Sequence, residues 1–195
     1  MGKRPDHFWD LIERVDANDR VDGSMAGVLA VELARLPVPQ IAQFHRSVMV
    51  SARRALTWDL WEAADIIHRA PCSQDTFCYF RLWLISQGRE VFESAIGNPD
   101  SLADHPPILR LAQEPLSRWQ NSDYPHMEDL LHGAEMAYDR VMDKIGPAMA
   151  AKVDRPEELE EVPQEIPDEA PPSGFGDERR IRQRYPNLVR LFSWM

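Results

Sequence analysis

The chain has 195 residues, 44% of them apolar and 28% charged, which is typical of one folded domain with at most a tail. Thirty-two acidic residues against 22 Lys and Arg leave a net charge of −10. This balance argues against broad contact with nucleic acid or anionic lipid, since basic residues supply most of that affinity. No apolar run reaches the ~18 residues of a membrane span, no secretory signal is visible, and two cysteines cannot form a disulfide scaffold. We therefore expect a cytoplasmic protein with no membrane segment.

Apolar residues at helical spacing predict three helices in the first third of the chain. Their spans are 5–16, 25–36 and 40–68. Residues 22–24 predict a turn and N-cap before the second helix. Pro37 and Pro39 separate the second helix from the third, because a proline ring clashes with the preceding turn. A bend is expected near Thr57.

Turn and capping residues divide the next part of the chain. Ser73 predicts the N-cap of a helix that extends to about Gln87, and Gly88 predicts a break before a further helix. The remaining expectations are a helix at 89–96, a stop at 97–99, short helices and loop at 104–125, and a helix at 127–145 that ends at Gly146 and Pro147.

The composition changes after Val153. Residues 154–176 contain five prolines, eight acidic residues and a single base, Arg155, which predicts a solvated loop or linker. We therefore predict an all-α fold with a single helical domain of about seven helices at 1–153. An acidic, proline-rich loop at 154–177 follows, and then a C-terminal segment at 178–195 that packs on the domain.

Three blocks of this sequence resemble the domain-of-unknown-function 4240 family. They are WDLWEAADII at 58–67, CSQDTFCYFRLWLISQGR at 72–89 and NPDSLA at 98–103, with weaker marks in FWDLI at 8–12 and YPNLVRLF at 185–192. The resemblance implies a bacterial, actinobacteria-type protein whose C-terminal segment belongs to the domain, with 154–177 as a surface loop. It implies no chemistry. The chain departs from the family pattern at 65–71, so the resemblance implies no role for His68.

Two carboxylate–histidine patterns suggest a metal site as one hypothesis. Glu62, Asp65 and His68 recur at three-residue spacing, and so do Asp129, His132 and Glu135, with Glu128 four residues before His132. This spacing places each set on one helix face. Helix bundles build di-metal sites from such residues on facing helices, with iron or manganese as the suitable ions. The alternative is that these side chains are ordinary surface charges and helix caps.

A second candidate site surrounds the predicted break at Gly88. Arg81, Gln87 and Arg89 lie near Trp83, and two guanidinium groups could hold a carboxylate or phosphate there. The structural alternative is that both arginines pair with acidic residues or cap neighbouring helices.

Exposed aromatic residues are candidate anchors for a partner, because such residues concentrate binding energy at interfaces. Trp119 and Trp194 lie in the least periodic segments and are the two candidates. Docking back on the same chain is the alternative for both. Cys72 and Cys78 have neither the spacing nor the neighbours of a zinc site, and we expect both thiols to be inert.

The sequence contains no complete catalytic set, and whether the chain is an enzyme stays open. The leading hypothesis is a non-catalytic protein-interaction or regulatory module that binds another protein or a second copy of itself, with the segment 106–125 as a contact region. The alternative is a small enzyme with a metal or anion pocket between helices. A third hypothesis is a nucleic-acid-associated regulator that acts through the arginines after residue 178.

Overall fold

A computed structural model describes residues 7–15, 25–163 and 166–192. The turn expected at 22–24 and the candidate anchor Trp194 lie outside these residues. Within them the secondary structure is helical without strands, which confirms the all-α prediction. The α-helices are α1 (His7–Arg14), α2 (Met25–Leu33), α3 (Val38–Arg54), α4 (Trp58–His68), α5 (Gln74–Ser86), α6 (Arg89–Gly97), α7 (Pro106–Gln113), α8 (Asp129–Ile145), α9 (Pro147–Ala150), α10 (Glu178–Arg184) and α11 (Pro186–Phe192). Short 3-10 turns span Pro99–Asp104, Leu116–Arg118 and Glu157–Glu160.

The number of helices is higher than the expected seven, because ten α-helices in the described ranges have seven or more residues. The predicted helix at 40–68 accounts for part of the difference. It is interrupted at Thr57, whose extended backbone starts α4 and whose hydroxyl accepts the Leu60 N–H at 3.2 Å. The expected bend is therefore a complete break, since an N-cap residue leaves the helical conformation.

Other helix boundaries follow the predicted signals. Ser73 accepts the Thr76 N–H at 3.1 Å and so caps α5. Gly88 separates α5 from α6 with a φ of 88°, and Gly146 ends α8 with a φ of 76°. Both are backbone conformations that favour glycine.

The interior is built on close packing of α8 against α2 and α3. Gly133 in α8 makes this approach possible, because a Cβ atom there would lie 2.9 Å from the Cβ of Leu29. The apolar face of α5 is also buried in the same core, with Phe77, Phe80 and Leu84 fully covered.

The last two helices contact α4 through a network of ionic side chains. Arg180 in α10 pairs with Glu62 and, at 2.8 Å, with Asp59, while Arg184 pairs with Asp59 at 2.6 Å. The Tyr185 hydroxyl shares its one proton between Glu62, at 3.1 Å, and the Asp59 carbonyl, at 2.9 Å. We call Asp59, Glu62, Arg180, Arg184 and Tyr185 the α4–α10 ionic network.

Parts of the acidic segment after Val153 also contact the helices. Leu159 is buried, and the Glu161 carbonyl accepts a hydrogen bond from His45 Nε2 at 3.0 Å. Further along, the Trp58 indole donates to the Glu169 carbonyl at 2.7 Å. None of the helices in the described ranges is both long and apolar enough to cross a membrane.

Candidate functional site

A cavity of about 830 Å³ lies between α1, the end of α5, α7 and the segment that leads into α8. Its volume is within the range of small-molecule and side-chain binding sites. Residues 119–129 form much of the lining, and the segments 86–88 and 107–114 form most of the remainder. Nine of the lining residues come from the region 104–125, for which the sequence predicts only short helices and loop.

Backbone and indole hydrogen bonds hold the 119–129 segment in place. The Met127 N–H donates to the Tyr79 carbonyl of α5 at 3.2 Å. At the other end, the Trp119 indole donates to the Glu114 carbonyl at 3.1 Å. The segment is therefore attached to α5 on one side and to the residue after α7 on the other.

The lining is acidic and aromatic. Five of its residues carry carboxylates, whereas Arg110 is the one Lys or Arg among the described lining residues. The carboxylates belong to Glu13, Glu114, Asp123, Glu128 and Asp129. Trp83, Trp119 and Tyr124 contribute aromatic rings to the same lining. Negative charge in a concave site attracts cations, and aromatic faces attract them further.

Two histidines meet at the edge of this cavity. His126 lines the cavity and is exposed, whereas His68, at the end of α4, is 6% exposed. Their Nε2 atoms are 3.1 Å apart, and their ring planes differ by 21°. Tyr124 lies beside both rings, with centroids 5.6 Å from His126 and 5.9 Å from His68.

The hydrogen bonds of His68 assign its tautomer. Its Nδ1 lies 2.8 Å from the Ala64 carbonyl, which can only accept, so Nδ1 carries the proton. Burial lowers the pKa of His68 to about 4, and partial desolvation of the His126 ring lowers the pKa of His126 although the residue as a whole is exposed. His68 is therefore neutral at pH 7, and its Nε2 presents a lone pair to His126.

The candidate metal ligands are distributed over several local contacts. Glu62 belongs to the α4–α10 ionic network, and Asp65 accepts the Cys72 N–H at 2.7 Å. On the other helix, Glu128 accepts from the Tyr79 hydroxyl at 3.0 Å, and His132 lies 3.9 Å from Glu135. Asp129 lines the cavity.

The two helices expected to carry facing metal ligands have different main neighbours. α8 packs mainly on α2 and α3, whereas α4 packs on α5 and α11. Among the described residues, no group of three or more His, Cys, Asp or Glu side chains could hold a metal ion.

The structure divides the four candidate anion ligands among three places. Trp83 and Gln87 line the cavity. Arg81 is fully buried elsewhere, where its guanidinium donates to the Ala52 carbonyl at 2.8 Å and lies 5.2 Å from the Phe77 ring centre. Arg89 is the first residue of α6 and is not among the lining residues described.

Trp119 makes its observed contacts within the chain. It is 8% exposed, and the Arg69 guanidinium lies 5.4 Å from its ring. This placement matches the alternative in which the indole docks on its own molecule. Phe192 of α11 packs nearby, with its ring centre 6.5 Å from that of Trp119.

Burial raises the pKa of the Cys72 thiol far above its usual range, so this thiol is not a nucleophile at pH 7.

The Asp65 carboxyl, which accepts the Cys72 N–H, also has a shifted pKa. Burial raises the pKa of Asp65 to about 6. The folded state then binds the carboxyl proton more tightly than the unfolded state, in which the pKa of Asp65 is ~3.9. Stability is consequently lost as pH rises from about 4 to 6.

Replacing this carboxyl should remove the pH-dependent penalty. We expect Asp65→Asn to raise the free energy of unfolding by about 1–2 kcal/mol at pH 7.5, because the amide oxygen still accepts from Cys72 without a buried charge. The gain should vanish near pH 4. Urea unfolding at both pH values measures it, with the exposed Asp154→Asn as control, and an equal gain at both values would contradict the explanation.

His126 and Tyr124 are the site residues that sequence analysis missed. Neither belongs to a periodic pattern, and the four prolines at 106, 107, 115 and 125 obscure the helical spacing around them. The available signal was the sequence Tyr124-Pro125-His126, two ring-bearing polar residues joined by a proline just before a strong helix. Only the fold brings them to His68, 58 positions away from His126.

Comparison with known proteins gives one match. A family model described as a protein of unknown function, DUF4240, matches residues 4–140. No curated protein and no solved structure matches the chain. The matched region contains the three blocks at 58–67, 72–89 and 98–103 on which the resemblance depended, and it ends before the mark at 185–192. Because the match covers well over half of the 195 residues, the resemblance is confirmed and the chain belongs to the DUF4240 family.

Proposed function

We propose that the chain is a non-catalytic binding module whose cavity receives a basic side chain of a protein partner. The observation that carries this proposal is the lining, where five carboxylates and three aromatic rings accompany a single arginine. Carboxylates attract a lysine or arginine, and aromatic faces add cation–π attraction. The proposal makes the protein-interaction hypothesis more specific, and it assigns the contact to the region around 106–129.

The charge distribution elsewhere favours a basic partner over a nucleic acid. Three of the C-terminal arginines are engaged by acidic residues of the same chain, since Arg180 and Arg184 pair with Asp59 and Arg182 pairs with Glu178. With the net charge of −10, a polyanion would be repelled. A basic segment of a protein would be attracted at long range and then held by the cavity.

Binding of a labelled lysine–glycine peptide, followed by fluorescence anisotropy at low salt, tests the proposal. We expect saturable binding that weakens at high ionic strength, because salt screens exposed charges. The double variant Glu128→Gln/Asp129→Asn should weaken binding roughly 5- to 10-fold, as expected for about 1 kcal/mol of lost attraction. The glutamine amide oxygen in this variant would still accept from the Tyr79 hydroxyl.

The matched control is Asp143→Asn/Asp154→Asn, which removes two exposed carboxylates outside the cavity lining. It should change the peptide affinity less than twofold. Equal weakening by both double variants would mean that only the overall charge matters. Absence of peptide binding at low salt would overturn the proposal, and displacement of the peptide by a small polyamine with equal affinity would overturn the assignment to a protein partner.

A further inference from the structure

We propose that His68 and His126 form a binding site for one divalent transition-metal ion of the zinc type, at the edge of the cavity. The site differs from the metal hypothesis based on sequence spacing, because it uses only His68 from that set and adds a histidine from the segment before α8. It does not depend on the proposed basic partner.

The tautomer of His68 prepares its Nε2 as a ligand. Its Nδ1–H donates to the Ala64 carbonyl at 2.8 Å, which leaves the lone pair on Nε2. Metal-binding histidines commonly donate their other ring N–H to a backbone carbonyl in this way, which orients the ring and makes the ligating nitrogen more basic. The ring is also held by burial, with Phe80 on one side at a centroid distance of 5.9 Å.

The distance between the two rings matches that of a shared metal ion. The Nε2 atoms are 3.1 Å apart. Two imidazole nitrogens that bind one tetrahedral zinc at ~2.0–2.1 Å each are separated by about 3.3 Å. In the present contact the His126 Nε2–H donates to the lone pair of His68 Nε2. Metal binding requires His126 in its other neutral tautomer, with the proton on Nδ1, so that both Nε2 lone pairs face the ion. That proton transfer and a shift of a few tenths of an ångström, which the exposed His126 can supply, convert the contact into a two-histidine coordination site.

The surroundings favour a dication and leave coordination positions open. Glu128 and Asp129 line the same cavity and follow His126 closely in the chain. Their charge raises the local concentration of cations. In the described part of the chain no third His, Cys, Asp or Glu completes a cluster with these two, so water or an external ligand would occupy the other positions. We therefore expect weaker binding than at a four-ligand structural zinc site.

Isothermal titration of the full chain with zinc chloride at pH 7.5 tests the site. We expect one zinc per chain in the micromolar range, and at least tenfold weaker binding in His126→Ala. This variant should fold, because His126 is exposed. The matched control is His132→Ala, which removes an exposed histidine of α8 that lies beside Glu135 and should leave zinc affinity unchanged.

The variant His68→Gln provides a second test with a buried replacement, with circular dichroism confirming that it is folded. It should lose zinc binding as His126→Ala does. The proposal is overturned if the wild-type chain binds no zinc at millimolar concentration, or if His126→Ala binds as tightly as the wild type. Neither result bears on peptide binding, so failure of the metal site and failure of the proposed function are distinguishable.

Discussion

Replacing Arg180 with alanine should lower the free energy of unfolding by about 3 kcal/mol, because it leaves the Glu62 carboxylate buried without its cation. Glu62 is 1% exposed, and its remaining partners are the Gly176 N–H at 2.8 Å and the Tyr185 hydroxyl at 3.1 Å. Two neutral donors do not compensate a buried charge, so the loss belongs to the range seen when one member of a buried ion pair is removed. In a chain of this size it corresponds to a decrease in Tm of roughly 6–12 °C.

Urea unfolding followed by circular dichroism measures this loss. Arg182→Ala is the matched control, because Arg182 lies on the same helix and pairs with Glu178 at an exposed site. An exposed pair four residues apart contributes about 0.3–0.5 kcal/mol. The double variant Arg180→Ala/Glu62→Gln should recover part of the stability, since the second change removes the unpaired charge. If the two arginine variants are equally stable, the α4–α10 ionic network contributes no more than a surface pair.

Replacing Asp100 with alanine should lower the free energy of unfolding by about 2–4 kcal/mol. This side chain is 5% exposed and accepts the backbone N–H groups of Asn187 and Leu188 at 2.9–3.2 Å, together with the Asn187 side-chain amide at 2.8 Å. It therefore satisfies donors of the first turn of α11 from a distant 3-10 turn. Alanine would leave the N–H of the buried Leu188 without an acceptor and would remove the acceptor of the two Asn187 donors. An unsatisfied buried donor destabilises the fold more than the loss of an ordinary hydrogen bond does.

The effect of Asp100→Ala should be concentrated at α11. Hydrogen exchange of residues 186–192 measures it, and these amides should exchange faster relative to those of α3 than in the wild-type chain. Asp100→Asn keeps one acceptor and should lose about half as much stability. The exposed Asp104→Ala in the same turn is the control and should lose less than about 0.5 kcal/mol. Unchanged exchange at 186–192 in Asp100→Ala would contradict the capping role.

Capping and helix-breaking residues were readable from the sequence because their effects are local. Ser73 and Gly88 act through hydrogen bonds or φ angles within a few residues of themselves, and the structure places helix boundaries at both. Thr57 shows the limit of such reasoning. Its position predicts a bend, but a full break between α3 and α4 depends on how the two helices pack against the rest of the core.

The contacts within the candidate site were harder to predict from the sequence, because they too depend on how the helices pack together. The spacing of Glu62, Asp65 and His68 correctly describes one helix, but the partners of these side chains come from distant segments. Glu62 meets Arg180, 118 positions away, and His68 meets His126 across 58 positions. A periodic pattern specifies which residues share a helix face, and it contains no information on which other helix that face meets.

The amino-acid sequence by itself determined that the chain is all-α, where several of its helices begin and end, and the family to which it belongs. Those properties depend on hydrophobic periodicity, on local capping and on residue motifs, which are all present in the linear order. Only the tertiary structure decided that an acidic, aromatic cavity forms beside α5 and that His126 lies against His68. It also decided that Glu62 and Asp100 are buried and bonded to the C-terminal helices. These arrangements depend on the packing of helices distant in sequence, where burial changes the charge state and the energetic weight of each side chain.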